Sequence, residues 1–366
     1  MRRFLAFLLL AGCAQEASPD APWTAPAELG PYGVGATTLI WLDGRDKAMT
    51  AELWYPARVE PGAPGDDYGE ISVAGYAHRD AEADLSFAPY PTIVFSHGFG
   101  GIRYQSTFLT EHLASHGFVV ISPDHPRNTL LDLDQDAAAR VAAERPGDIR
   151  STVDRLFEVV DAGWFGLGGL VDPGAGYGMS GHSFGGWTTV GVSGGRFDPA
   201  FFADHCENEG GAACQFIEDL SILDDIEIPT ADDRVLASAA LAPAAWYAFG
   251  EDGLRDVVNP LVVGGTMDGD MPYESEIRAI WERLGEERAL LTIERAGHWG
   301  FTDLCTSLNL DVFSDCAGEE DGFVEPSVTA AITKEVVTAH FQVHLRGDAR
   351  AEASLGSARW GEAWEE

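Results

Sequence analysis

"MSGHSFGGWTTVGVSGG", residues 179–195, holds two serines at the centre of a G-x-S-x-G spacing, Ser183 and Ser193. In that spacing a serine sits on a sharp strand-to-helix turn with its hydroxyl exposed as a nucleophile. The pattern alone decides little in a chain of 366 residues with 42 glycines. Context separates the two. "GYGMSG" (176–181) reads as a strand ending just before Ser183, and "SFGGWTTVGV" begins a helix directly after it. Ser193 falls at the far end of that helix, where Gly194-Gly195 reads as a helix stop. Ser183 is the expected nucleophile.

Outward from this point the sequence alternates between strands and helices. Upstream, 36–42 and 48–55 read as an antiparallel hairpin, followed by a Gly-, Pro- and Asp-rich excursion to about residue 89. Then come a strand at 91–98, a helix at 104–117, a strand at 118–124 and a helix at 148–163, with apolar residues at helical spacing. Downstream, strands are expected at 234–243, 260–266 and 289–296, with helices at 273–285 and about 327–346. Such alternation specifies an α/β fold, a mostly parallel central sheet with helices on both faces. Residues 196–233 break the rhythm and read as an insertion after the nucleophile helix, lying over the C-terminal edge of the sheet. Ligands of open α/β sheets bind at that edge.

A serine hydroxyl needs a base to take its proton and an acid to orient the base. "VVGGTMDGD" supplies Asp268 just past a strand, with Asp270 as the rival acid, and "ERAGHWGFTD" supplies His298 just past the last strand. The order serine, acid, histidine is the one this turn requires. The oxyanion donors are expected to be the backbone N–H groups of Phe184 and of Phe99, the latter in the glycine-rich loop of "TIVFSHGFGG". His125, in "PDHPRN", follows a strand at the same edge and is expected near substrate; Trp299 and Phe99 are expected to shape an apolar acyl pocket. His340 and His344 read as surface or packing residues on the last helix. Asp132 to Asp136 imitates the start of a calcium loop but lacks its glycine and its closing glutamate, so no metal site is expected.

The formal net charge is −36, and the only lysines are Lys47 and Lys334. So acidic a chain excludes nucleic acid as a partner. At the N-terminus, Arg2-Arg3 precedes the apolar run Phe4–Leu10, an export signal too short to span a bilayer. Leu10-Ala11-Gly12-Cys13 resembles the lipobox of bacterial lipoproteins, which implies lipid attachment at Cys13 after removal of residues 1–12; an ordinary cleaved signal with an incidental Cys13, and a secreted protein, is the alternative. The expected organisation is a linker at 13–30, one domain at 31–348 and a C-terminal tail at 349–366, with the membrane reached only through the anchor. Four cysteines remain, which allow three pairings; Cys206–Cys214 with Cys305–Cys316 is the expected one, in an exported and oxidising setting. Loops of this size each contribute on the order of 2–3 kcal/mol in the chain-entropy view.

Taken together, "LWYPA", "FSHGFGG", "GHSFGG", "GGTMD" and "AGHWGFTD" resemble the platelet-activating-factor acetylhydrolase and dienelactone-hydrolase-like branch of the α/β hydrolases, over roughly residues 33–347. Dienelactone hydrolases proper carry a cysteine nucleophile where this chain has Ser183. The resemblance implies an α/β-hydrolase fold and a serine carboxylic-ester hydrolase that needs no cofactor and acts on a small ester or a lipid. A phospholipid acyl hydrolase and a polyester or cutinase-like hydrolase share the layout. An inactive ligand-binding surface lipoprotein is the non-enzyme alternative.

Overall fold

The computed structural model describes residues 21–68, 75–211, 213–214, 231–306, 315–316, 318 and 322–355, and the backbone of 363–365. The signal, Cys13, part of the insertion and part of the tail lie outside the described residues. In chain order the strands are β1 (Gly33–Leu42), β2 (Ala48–Ala57), β3 (Ala77–Arg79), β4 (Thr92–Ser96), β5 (Val119–Pro123), β6 (Tyr177–His182), β7 (Val235–Leu241), β8 (Pro260–Gly265), β9 (Ala289–Ile293) and β10 (Ala363–Glu365). The α-helices are α1 (Thr107–Ser115), α2 (Ala138–Asp161), α3 (Phe184–Val192), α4 (Pro199–Asn208), α5 (Arg278–Arg283), α6 (Asp303–Thr306) and α7 (Pro326–Arg346).

All ten strands join one sheet, in the order β10-β9-β8-β7-β6-β4-β5-β2-β1-β3. From β5 to β9 every neighbour pair is parallel, whereas β2 runs antiparallel to β5 and β1, and β10 antiparallel to β9. Parallel strands need both faces covered, and β4, β5, β6 and β8 are buried at every residue. Alternation along the strands divides the core. Ile93, Phe95 and Val120 meet Leu109 and Leu113 of α1 and Phe341 of α7. Val94, Val119 and Ile121 meet Ile149, Val153 and Leu156 of α2. The parallel block brings the C-terminal ends of its strands to one edge, and Phe99, Ser183, Asp268 and His298 each follow a strand there.

Three features differ from the sequence reading. β3, within the excursion, pairs parallel with β1, and β10 adds an outer strand. α2 begins at Ala138, ten residues before the expected start, and continues through Pro146. The Ala-rich run 138–143 favours helix, and burial of Arg145 and Asp148 holds the turn around the proline. The glycines of β6 also find their reason: a Cβ on Gly178 would lie 2.7 Å from the Phe341 ring.

Candidate active site

Ser183 stands between the last residue of β6 and the first of α3, with φ +58° and ψ −117°. A residue with a side chain is rarely held there, and such strain costs about 1–3 kcal/mol. The surrounding backbone imposes it. The Ser183 N–H donates to the Leu241 carbonyl on β7, and its own carbonyl accepts from Trp187 N–H in the first turn of α3. Space is so short that a Cβ on Gly185 would lie 1.8 Å from the Ser96 carbonyl oxygen, and one on Gly181 would lie 2.4 Å from the Gly185 oxygen. The two glycines are therefore what lets β6 and α3 meet at this angle. Ser193 is the C-terminal cap of α3, buried, its hydroxyl without a hydrogen-bond partner among the described residues.

His298 and Asp268 come together from the loops after β9 and β8: His298 Nδ1 lies 2.8 Å from Asp268 Oδ2, and both residues are buried. The other carboxylate oxygen of Asp268 accepts from the backbone N–H groups of Asp270 (3.0 Å) and Met271 (2.6 Å). Asp270 contributes its amide to this turn while its side chain is exposed. His298 approaches the Ser183 turn through His182, whose ring centroid is 4.5 Å from its own.

The loop after β4 faces the turn after β6. Phe99 and Phe184 have ring centroids 6.1 Å apart, and both line a pocket together with Ser183. Phe184 opens α3, so its N–H belongs to the first helical turn, where amides have no intrahelical acceptor. Beneath the loop lies Arg145, fully buried. Its guanidinium donates to the His97 carbonyl (2.8 Å), the Gly98 carbonyl (3.1 Å) and Asn128 Oδ1 (2.8 Å), and it stacks 4.2 Å from the centre of the Phe184 ring. Burial pushes its pKa down to about 9, with Asp148 opposing, so it carries its charge at neutral pH. The guanidinium thus ties down carbonyls of the loop that carries Phe99.

Two expected contacts are corrected. His125 does not reach the pocket: it is wholly buried, its Nε2 2.9 Å from Ser96 Oγ and its Nδ1 2.9 Å from Asp148 Oδ2. With both ring nitrogens committed beneath the sheet edge, it serves the packing of β4 against α2. Trp299 is not among the residues lining the pocket with Ser183; its indole stands edge-on to His298, centroids 5.4 Å apart. His340, expected as a surface or packing residue, is buried and packs against the Phe341 ring.

Both disulfides, Cys206–Cys214 and Cys305–Cys316, are formed. The first ties the end of α4 to Ala213 and Cys214, and Phe197, Phe202 and Ala213 of this insertion wall the pocket. The second holds Cys316 beside Asp315, whose carboxylate accepts from the Trp299 N–H at 2.6 Å. Sequence reasoning missed Gln105, Arg145 and His182. Of these only His182 carried a signal, being the residue inside the G-x-S-x-G spacing.

The fold is that of the α/β hydrolases. It is similar to the solved ferulic acid esterase from Streptomyces cinnamoneus, with a TM-score of 0.60 and 21% sequence identity, over 97% of this chain and 100% of that one. Residues 69–139 match the family model described as platelet-activating factor acetylhydrolase, isoform II. That segment includes the Phe99 loop and ends before Ser183. No curated protein matches the sequence.

Proposed function

We propose that this α/β-hydrolase-fold chain is a serine hydrolase of carboxylic esters, with Ser183 as nucleophile, His298 as general base and acid, and Asp268 as the group that orients it. The single observation that carries this reading is the strained backbone of Ser183 at the head of α3. Holding a serine at positive φ costs stability and returns no packing; it places Oγ at the pocket. In this reading Oγ attacks the ester carbonyl carbon and its proton passes to His298 Nε2. The tetrahedral oxyanion accepts from the N–H groups of Phe99 and Phe184, each such donor contributing on the order of 3 kcal/mol in comparable sites. Collapse expels the alcohol, protonated by His298, and leaves an acyl-Ser183. Water, deprotonated by His298, then attacks that ester and frees the acid. None of these steps calls on a metal or organic cofactor.

The test is hydrolysis of a short-chain 4-nitrophenyl ester together with labelling by a fluorophosphonate. Ser183→Ala should lose on the order of 10⁶ in kcat and take no label, while Ser193→Ala should stay within a few fold of the parent. Equal labelling of the parent and Ser183→Ala proteins would overturn the assignment. A second reading, a phospholipid acyl hydrolase, is favoured by the match over residues 69–139. We further propose that the protein is exported and held at a membrane through lipid on Cys13; the two local disulfides support an oxidising compartment.

A further inference from the structure

Among the described residues, those lining the pocket beside Ser183 carry no carboxylate, amide or guanidinium group, and Ser183 supplies their only hydroxyl. Its mouth is formed by half-buried Phe99, Ala142, Phe184 and Phe197, and its floor by buried Trp187 and Phe202. The floor is firmly backed: Phe202 stacks on Tyr247 with centroids 5.7 Å apart, and Trp187 packs at 5.7 Å on Phe249. Along the walls run alanines, among them Ala138 and Ala142 one turn apart on α2, and Ala245 and Ala248 after β7. The space holds about 80 Å³ of positions for water-sized groups. A separate water takes roughly 30 Å³ and a bonded carbon less, so that is room for a short chain, on the order of three to six non-hydrogen atoms.

We infer that this pocket is the acyl subsite, and that the acids released are saturated, unsubstituted chains of about four to six carbons. The inference rests on the serine-esterase reading above. Assignment to the acyl side follows from the order of events in that reaction. The alcohol must leave before water enters, which suits the open side of Ser183, whereas the acyl group stays bonded to Oγ through both halves. A walled, apolar recess suits the group that stays. Acetyl leaves most of the recess empty and forgoes its burial. A methoxylated, hydroxylated ring such as feruloyl exceeds the room and would bury a phenol among hydrocarbon, without a partner. The alanines set the depth, because any larger side chain there takes the volume of several methylenes.

The experiment compares kcat/KM for 4-nitrophenyl esters of acetic, butanoic, hexanoic, octanoic and decanoic acids, and for 6-hydroxyhexanoyl and feruloyl esters. Each buried methylene raises kcat/KM about fourfold, so the hexanoyl ester should exceed the acetyl ester by on the order of a hundredfold, with a fall beyond it. The 6-hydroxyhexanoyl ester should fall at least about tenfold below hexanoyl, since its hydroxyl is buried unpaired. Ala142→Phe, at the half-buried wall, should lower the hexanoyl-to-acetyl ratio at least about tenfold. The comparison of hexanoyl with its hydroxylated analogue needs no variant, so misfolding of Ala142→Phe would not rescue the proposal. A profile flat in chain length, or best with acetyl or feruloyl, overturns the acyl-subsite inference while leaving the esterase reading intact. Absence of both hydrolysis and fluorophosphonate labelling overturns the esterase reading itself.

Discussion

His182 donates from Nε2 to the carbonyl oxygen of His298 at 2.9 Å, so the residue before the nucleophile holds the backbone of the proposed base. A carbonyl only accepts, which fixes the proton on Nε2 and leaves Nδ1 as acceptor. Nδ1 lies 3.1 Å from Gln105 Nε2, and Gln105 Oε1 accepts from the Gly98 N–H at 2.8 Å. That backbone donor sets the orientation of the amide. Burial, and His298 beside it, hold the His182 pKa well below the usual histidine value, so the ring stays neutral. Three segments are thereby joined: the Phe99 loop, the Ser183 turn and the His298 loop.

His182→Ala should therefore lower kcat by about ten- to a hundredfold with KM little changed, because a misplacement of about 1 Å costs on that order. Steady-state kinetics at several pH values checks this. A change confined to KM would mean that His182 shapes the pocket and does not position His298.

Asp268→Asn should cost more, for a reason visible in its partners. One oxygen of Asp268 accepts two backbone N–H bonds and must remain an acceptor. In the variant the new side-chain NH₂ would then occupy the position facing His298 Nδ1 and donate where a donor already stands. The imidazole would have to move its proton to Nε2, the nitrogen that must receive the serine proton. A loss of about 10⁴ in kcat is expected. Asp270→Asn should stay within a few fold, since its exposed carboxylate makes no hydrogen bond to His298 among the described residues. Comparable losses at both positions would contradict the assignment.

The site's principal residues were legible because their chemistry needs particular types at particular places. The turn that carries Ser183 leaves no room for a Cβ at Gly181 or Gly185, and Asp268 and His298 each follow a strand with a clear apolar signature. What the sequence hid was tertiary in origin. Gln105 and Arg145 are polar residues in helical or pre-helical text and become meaningful only when the loop 97–101 folds against them. His125 follows a strand at the correct edge, yet its ring turns inward to Ser96 and Asp148. The early start of α2 was obscured by Pro146, whose local preference the packing overrides.

Acid should destabilise the fold through histidines remote from the site. His112 and His116, near the end of α1, donate from Nε2 to the Pro26 and Glu28 carbonyls. Burial, with His116 beside His112 and Arg346 beside His116, lowers their pKa values to about 3 and about 4. Between those values and 6.5 the unfolded chain binds protons that the folded chain refuses, so stability falls as pH falls through that window. Raised carboxyls such as Asp303, pushed by burial to about 6, work in the opposite direction. Substitution isolates one contribution: His112→Gln keeps a donor for Pro26 but does not titrate. Around pH 5 its unfolding free energy should decline less steeply than the parent's, by about 1.4 kcal/mol per pH unit. Urea titrations across pH 4–6 measure this, and parallel slopes would refute the assignment.

The Cys305–Cys316 disulfide should matter for rate before it matters for folding. Asp315 is packed so closely on Gly297 that a Cβ there would lie 2.2 Å from its own Cβ, and its carboxylate accepts from the Trp299 N–H. His298 lies between those two residues. The disulfide fixes Cys316, hence Asp315, to Cys305 within the segment Asp303–Thr306, and Asp303 is itself anchored through its carboxylate to the first turn of α1. Cutting the bridge frees this brace while the sheet and both core clusters remain buried, so local opening should precede global unfolding. The double variant Cys305→Ser/Cys316→Ser should lose about tenfold or more in kcat at a temperature where its circular dichroism is unchanged. Asp315→Ala, which removes the acceptor and leaves the bridge, should reproduce most of that loss. Full activity in both variants would show that Asp268 and His182 alone keep His298 in register with Ser183.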